Sequence, residues 1–270
     1  MSILTKNRMK IVEHTEIEAV EDRLMRVRGL NDNAMGVDLK RFGNAVAFSV
    51  KNIPGPSFNT VKGISEENLG DLDEIIEFYS EKGIPARFEV TPSNASADLF
   101  RKLSTLGFFQ SGFHTALYRS LSSDESPIAG VGNTIQIEEI SLVDFDIFGD
   151  LYTKGFGMPG AFKNFVTQNN KILAESDHWV FYMASVEGNP AGVGVLFQKN
   201  AVATLAASAT VPAFRNKGVQ PALIQKRIQQ AVDAGCEYVI GQAAYGSVSQ
   251  KNMERAGLKV AYTNAIWEKL

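Results

Sequence analysis

The hexapeptide Arg215-Asn216-Lys217-Gly218-Val219-Gln220 carries the groups of this chain best suited to chemistry. It follows an apolar run at 201–211 that suits a strand, and it opens a helix expected over 219–234. A glycine-centred turn between strand and helix points several backbone N–H groups into one concave arc. The helix dipole adds partial positive charge there, so the arc suits a phosphate or pyrophosphate. Pro221 falls in the first helical turn, where its missing N–H is no loss. Gly218 would let a bulky ligand approach the backbone closely. The same spacing also fits an ordinary strand–turn–helix junction that binds nothing.

Two other phosphate loops are testable on sequence. No Gly-x-x-x-x-Gly-Lys-Ser/Thr run is present, which argues against a P-loop NTPase. Gly155-Phe-Gly157-Met-Pro159-Gly160 matches a dinucleotide-loop pattern, but no clear strand precedes it and Pro159 interrupts it.

The elements that must position the loop belong to a chain of 270 residues, enough for one large domain or two ordinary ones. With 44% hydrophobic and 21% charged residues, it has the composition of a globular protein with ample core. Its 27 basic and 30 acidic residues give a net charge of −3, so nothing in the charge balance points to nucleic acid. The single cysteine, Cys236, excludes an intrachain disulfide and a cysteine metal cluster. A buried structural thiol is expected there rather than a nucleophile. His14, His114 and His178 lack metal-ligand spacing, so no metal is expected. No signal-peptide core appears at the N-terminus, and no run approaches the ~18 apolar residues of a membrane helix. A cytoplasmic protein with no membrane partner is the expectation.

Residues 122–133, rich in Ser, Gly and acids, read as a linker between two domains, 1–125 and 126–270. On both sides strands alternate with helices, an α/β (α+β) pattern. The halves also repeat a plan. In the first, a helix at 68–82 stops at Gly83, a strand follows at 86–90, a short helix at 97–106 stops at Gly107, and a strand closes at 113–121. In the second, the helix stops at Gly235, a strand follows at 238–242, a short helix at 249–256 stops at Gly257, and a strand closes at 259–269. The copies differ ahead of their long helices. The first has no Arg-x-x-Gly-x-Gln loop, and Glu66 and Glu67 would sit at the helix start, where they satisfy the dipole and repel phosphate.

Residues 134–270 resemble the GNAT family of N-acetyltransferases. The resemblance rests on Arg215-Asn-Lys-Gly218-Val-Gln220, after Ala-Ser-Ala-Thr210-Val211, and on Ser249-Gln-Lys-Asn252-Met253-Glu-Arg255-Ala-Gly257-Leu258 downstream. The first half resembles the same fold without the cofactor loop, so the chain resembles a tandem GNAT protein with a degenerate N-terminal copy. The resemblance implies two tandem mixed sheets flanked by helices and splayed at the central strands. It implies acetyl-CoA (coenzyme A) as cosubstrate. Its pantetheine arm would pair with Ala209, Thr210 and Val211, and its pyrophosphate would lie on the N–H groups of Asn216, Lys217, Gly218, Val219 and Gln220. Arg215 and Lys217 would add charge-assisted contacts, and Asn252 would reach the ligand from the opposite side.

Two positions depart from the family pattern. Gln220 stands where a small residue is usual, and Met253 where many members have a Tyr general acid; Met has no proton to donate. Tyr245 and Tyr262 are nearby substitutes in sequence, and Glu138, Glu139 and Glu187 are candidate bases. None of these is assigned a catalytic role. The acceptor pocket is expected around 156–165, beside a mobile loop marked by Gly155, Gly157, Pro159 and Gly160. The implied reaction is direct acetyl transfer to a primary amine of a small molecule or peptide. A non-catalytic acyl-CoA-binding or regulatory module, and a scaffold that binds nothing, remain open. An exposed strand edge would allow a homodimer.

Overall fold

A computed structural model of the chain describes residues 4–53, 55–122 and 134–269. Of the expected linker at 122–133, all but Ser122 lies outside the described residues. Among them, no helix is long and apolar enough to cross a membrane. The fold is mixed α/β, with helices flanking mixed sheet.

The chain divides into two compact units that are not contiguous in sequence. Unit 1 comprises Met1–Ala116, Ala243–Tyr245 and Val260–Leu270, and unit 2 comprises Leu117–Gln242 and Gly246–Lys259. A single cut at 125/126 does not describe this division, because the closing strand of the sequence lies with unit 1.

Unit 1 holds α1 (Lys6–Arg28), β1 (Val37–Phe42), β2 (Ala45–Val50), β3 (Thr60–Lys62), α2 (Leu72–Ser80), β4 (Arg87–Val90) and α3 (Ala97–Thr105). It also holds the first part of β5 (Phe109–Ser120) and nearly all of β11 (Lys259–Glu268). Its strand order is β1-β2-β3-β4-β11-β5. β11 runs antiparallel to β4, with Ala265 opposite Val90 and Glu268 opposite Arg87. Arg87 Nε donates to Glu268 at 3.0 Å, and Trp267 stacks on Phe100 with ring centroids 5.2 Å apart. These contacts give the last strand its place.

The core of unit 1 packs Ile75, Tyr79, Phe88, Leu99, Leu103 and Phe108 between α2, α3 and the sheet. The apolar spacing of Leu72, Ile75 and Tyr79 explains α2, and the Tyr79 hydroxyl is satisfied by the Phe48 carbonyl at 2.8 Å. The expected helix at 68–82 begins later than its pattern. A single tight turn, Glu66–Asn68, precedes it, closed by a reciprocal cap between Ser65 and Asn68. Glu66 and Glu67 therefore stand on that turn and not at the start of α2, whose first turn carries Asp73 and Glu74 and whose N-cap Asp71 makes no side-chain cap bond.

Unit 2 holds β6 (Ile135–Glu139), α4 (Phe145–Phe156), α5 (Lys163–Lys171), β7 (Trp179–Val186), β8 (Asn189–Lys199), β9 (Val202–Thr210), α6 (Val219–Asp233), most of β10 (Tyr238–Ala244) and α7 (Val248–Arg255). Its order is β5-β10-β9-β8-β7-β6, with the end of β5 at one edge. β6 to β9 are antiparallel neighbours, and β9 and β10 run parallel.

In unit 1, α1 buries Val12, Ile17, Leu24 and Val27, but the same face carries Glu16. The Lys62 ammonium donates to Glu16 and to Glu89, each at 2.7 Å, with all three side chains at most one-tenth exposed. Burial opposes the lysine charge, yet the two carboxylates outweigh it and raise its pKa. Burial alone would raise Glu89; Lys62, Arg87 and His114 instead hold it at about 2. Its contribution to stability is therefore complete above the ordinary carboxylate range and is lost as pH falls toward that value. Lys62→Met should strand two buried carboxylates and cost about 3–5 kcal/mol at pH 7. The Glu89 pKa would then rise, because Lys62 no longer holds it down, so the deficit against wild type should shrink at pH 5. Urea unfolding at both pH values measures this, and an unchanged deficit would contradict the account.

Candidate functional site

β9 is flanked by β8 and β10, and its two edges behave differently. Its pairing with β10 runs from Val202↔Tyr238 to Leu205↔Gly241 and stops there. β9 continues to Thr210 and β10 to Ala244 without pairing each other, so the strands splay. Against β8, the register shifts at the same point. Leu196 faces Leu205 while Val195 faces Ala207, leaving Ala206 as the extra residue of a bulge. A bulge bends its strand and sharpens the local twist, which turns β9 away from β10. Ser208 Oγ, Thr210 Oγ1 and Gln242 Nε2 are buried without hydrogen-bond partners on these diverging segments. Past Leu205, the β10-facing edge of β9 is open to an added strand-like ligand.

Arg227 of α6 holds the bulge. It is 1% exposed, and Nη1 donates to Val195 O at 3.1 Å and to Ala207 O at 2.9 Å, while Nε donates to Leu223 O at 2.9 Å. Burial pushes its pKa down to about 9, only partly offset by Tyr182, so it remains charged at neutral pH. Gly194 makes room for it, since a Cβ there would lie 3.0 Å from Arg227 Nε. The end of β9 is clamped as well. A Cβ on Gly155 of α4 would come within 2.7 Å of Ala209 Cβ, and one on Gly192 of β8 within 2.6 Å of Ala209 O.

The chain leaves β9 through one tight turn, Pro212–Phe214, and reaches α6 through residues 215–218. Asn216 and Gly218 both adopt left-handed backbone, at φ 62° and 85°. Gly218 is the N-cap of α6, and no side chain caps that end. The N–H groups of the first turn are thus left for solvent or a ligand, with the positive end of a 15-residue helix behind them.

The residues singled out from sequence fall into three groups. Ala209, Thr210 and Val211 lie on the splayed end of β9, where Val211 N still bonds Ala191 O at 2.9 Å. Asn216, Lys217, Gly218 and Val219 form the loop and helix start. Arg215, Gln220 and Asn252 complete the set, and their side chains and that of Lys217 have other engagements. Arg215 Nη2 donates to Gly155 O at 3.0 Å, at the end of α4, and the Lys217 ammonium sits 5.1 Å from the Phe214 ring centre. Gln220 accepts from Asn252 Nδ2 at 2.7 Å and donates to Ser249 at 3.2 Å, while Asn252 Oδ1 accepts from Arg255 at 2.9 Å. Gln220, in place of a small residue, therefore ties α6 to α7, and Asn252 faces that tie.

Met253 is buried, and a Cβ on Gly241 would stand only 2.6 Å from its Sδ. Packing against β10 accounts for it. Tyr245, 69% exposed, and Tyr262, buried, both belong to unit 1. Burial, then Glu16, Glu13 and Glu89, push the Tyr262 hydroxyl pKa up. Glu138 and Glu139 lie exposed on edge strand β6, three strands from β9, and Glu187 occupies the β7–β8 turn. None of these carboxylates lies on the diverging segments. The expected loop around 155–160 is shorter than anticipated. Gly155 is inside the last turn of α4, because its lack of a Cβ lets the helix approach β9; Gly157 is the left-handed cap of α4 at φ 67°. Phe156 and Phe165, on α4 and α5, are about half exposed. Sequence reading missed Arg227 and the bulge. The available signals were the paired glycines 192 and 194 on one strand face and an arginine four residues after Leu223 within an apolar helix stripe.

Residues 145–257, from the start of α4 to the stop after α7, match the family model described as the acetyltransferase (GNAT) family. This segment is a GNAT acetyltransferase domain, and membership supports acyl transfer from acyl-CoA. Among solved structures, a GCN5-related N-acetyltransferase from Sphaerobacter thermophilus is similar over 93% of this chain and 88% of its own, with 14% identity and a TM-score of 0.62. A functionally unknown conserved protein from Staphylococcus epidermidis is similar over 91% and 98%, with 15% identity and a TM-score of 0.61. A tandem GNAT protein from the clavulanic acid biosynthesis pathway is similar over 77% and 74%, with 12% identity and a TM-score of 0.59. At these identities the likeness is one of fold. No curated protein matches the chain.

Replacing Arg227 with Met should leave the Val195 and Ala207 carbonyls unpartnered and lower the unfolding free energy by about 2–4 kcal/mol. Urea denaturation measures this. A change within about 0.5 kcal/mol, the range of an ordinary surface substitution, would show that the arginine does not hold the bulge.

Proposed function

We propose that unit 2 transfers an acetyl group from acetyl-CoA to a primary amine of a small molecule or peptide by direct attack. The observation that carries this reading is continuity: the open edge of β9 runs through residues 211–218 to the uncapped start of α6. An extended arm with amide groups at one end and phosphates at the other matches that sequence of donors and acceptors. Ala209, Thr210 and Val211 pair with the arm, and the N–H groups of residues 216–220 hold the pyrophosphate. Arg215 and Lys217, both exposed, are free to add charge once they leave Gly155 and Phe214. Asn252 contributes by exchanging its bond to Gln220 for one to the ligand.

The attacking amine must be neutral, so a base or a water relay removes its proton. Backbone N–H groups near residues 209–211 stabilise charge on the thioester oxygen, and holding both reactants in one opening supplies much of the rate. With Met253 buried, the leaving thiolate takes its proton from another group or from water. The copies at 1–125 and 126–270 derive from one duplication, and the first is degenerate. The tight turn ahead of α2 is capped by Ser65 and carries Glu66 and Glu67, and the β3–β4 pairing stops at Val61↔Phe88, where Lys62 and Glu89 follow as an ion pair. Met253 also favours a second reading, a module that binds acyl-CoA without turnover.

Calorimetric titration of acetyl-CoA should show binding to wild type and at least about tenfold weaker binding to Gly218→Glu, which strains the left-handed position and adds negative charge to the loop. Thiol release with a panel of amines then separates the two readings. Release that depends on the amine supports the transferase; binding without release supports the module. No binding to wild type would overturn both.

A further inference from the structure

Unit 1 holds a small, partly open cavity whose lining includes Glu13, Glu16, Lys62, Glu89, Thr91 and Asn264, where β3 and β4 separate. Three carboxylates meet there against one ammonium. Arg87 also reaches Glu89, but it is shared with Glu268. Glu13 is oriented by the Thr91 hydroxyl at 2.9 Å and by Asn94 Nδ2 at 3.0 and 3.1 Å. His114 stands at the rim of the cluster, with a ring nitrogen within 4.8 Å of Glu16 and Glu89 oxygens. Asn264, on β11 and 2% exposed, lines the cavity, and its buried Oδ1 has no hydrogen-bond partner. The buried Tyr262 hydroxyl, two residues away on the same strand, also lacks a partner.

We propose that this cavity is a binding site for the ammonium group of a small primary amine. A buried acceptor left unpaired costs about 1–3 kcal/mol, so Asn264 Oδ1 calls for a donor. The surplus of carboxylates calls for positive charge. An ammonium group meets both needs, with three donors and no acceptor, in a space about the size of one water. A quaternary ammonium has the charge without the donors and exceeds the space. Water has the donors without the charge. The site lies wholly within unit 1 and does not rest on acyl-CoA binding by unit 2.

The test is the melting temperature of the full chain, without acyl-CoA, in ethylammonium, tetramethylammonium or sodium chloride at equal ionic strength up to about 100 mM. Ethylammonium should raise the melting temperature by about 2 °C or more beyond either control. Asn264→Leu should abolish the difference while leaving the far-ultraviolet circular dichroism unchanged. Equal shifts for the three salts in wild type would overturn the proposal with no variant needed. So would an ethylammonium effect that survives in a folded Asn264→Leu protein. Calorimetric titration of ethylammonium into wild type gives a second readout, for which no saturable heat is the contrary result.

Discussion

A buried guanidinium that bonds backbone carbonyls in place of a carboxylate is the constraint on which the second unit depends. Arg227 grips Val195 and Ala207 on two neighbouring strands at the point where Ala206 is extruded. Its desolvation is costly, and three carbonyl bonds are what offset it. The consequence is geometric. A β9 without the bulge would keep pairing with β10 beyond Leu205 and leave no edge for a ligand. The glycines at 155, 192 and 194 follow from the same constraint, each clearing space where α4, β8 and Arg227 close on β9.

The two units handle a diverging pair of parallel strands in opposite ways. In unit 2 the gap is left with unpartnered polar groups and runs to an uncapped helix start. In unit 1, Lys62 and Glu89 stand just past the last β3–β4 pair and are joined by Glu16 from α1, while the tight turn beyond, Glu66–Asn68, is capped and acidic. An opening that accepts a long ligand needs unspent backbone donors. One filled by internal ion pairs has room only for something small. The ion triad also makes unit 1 sensitive to the loss of any single partner, since the remaining charges cannot reach water.

Much of this was legible in the sequence because it depends on local signals. Helix stops at Gly83, Gly107, Gly235 and Gly257, all with positive φ, and the apolar spacing of α2 marked the repeated plan. The loop before α6 was visible because a glycine at a strand–helix junction marks a left-handed position, which Gly218 adopts. Three features were not legible, each for a stated physical reason. α1 was missed because its buried face includes Glu16, which a periodicity argument counts as polar surface until Lys62 is known to meet it. The placement of β11 in unit 1 depends on pairing with a strand about 180 residues away, as Arg87 and Glu268 show. The engagement of Asn252 with Gln220 joins two helices whose approach no local pattern encodes.

The central claim is that the open edge of β9 and the start of α6 together form one binding surface for acyl-CoA. Amide hydrogen exchange with and without saturating coenzyme A tests it most directly, because it reads the backbone donors themselves. The account predicts slowed exchange confined to peptides covering residues 206–211 and 216–220, with β6 and β7 unchanged. Protection elsewhere with none on these two segments would contradict it.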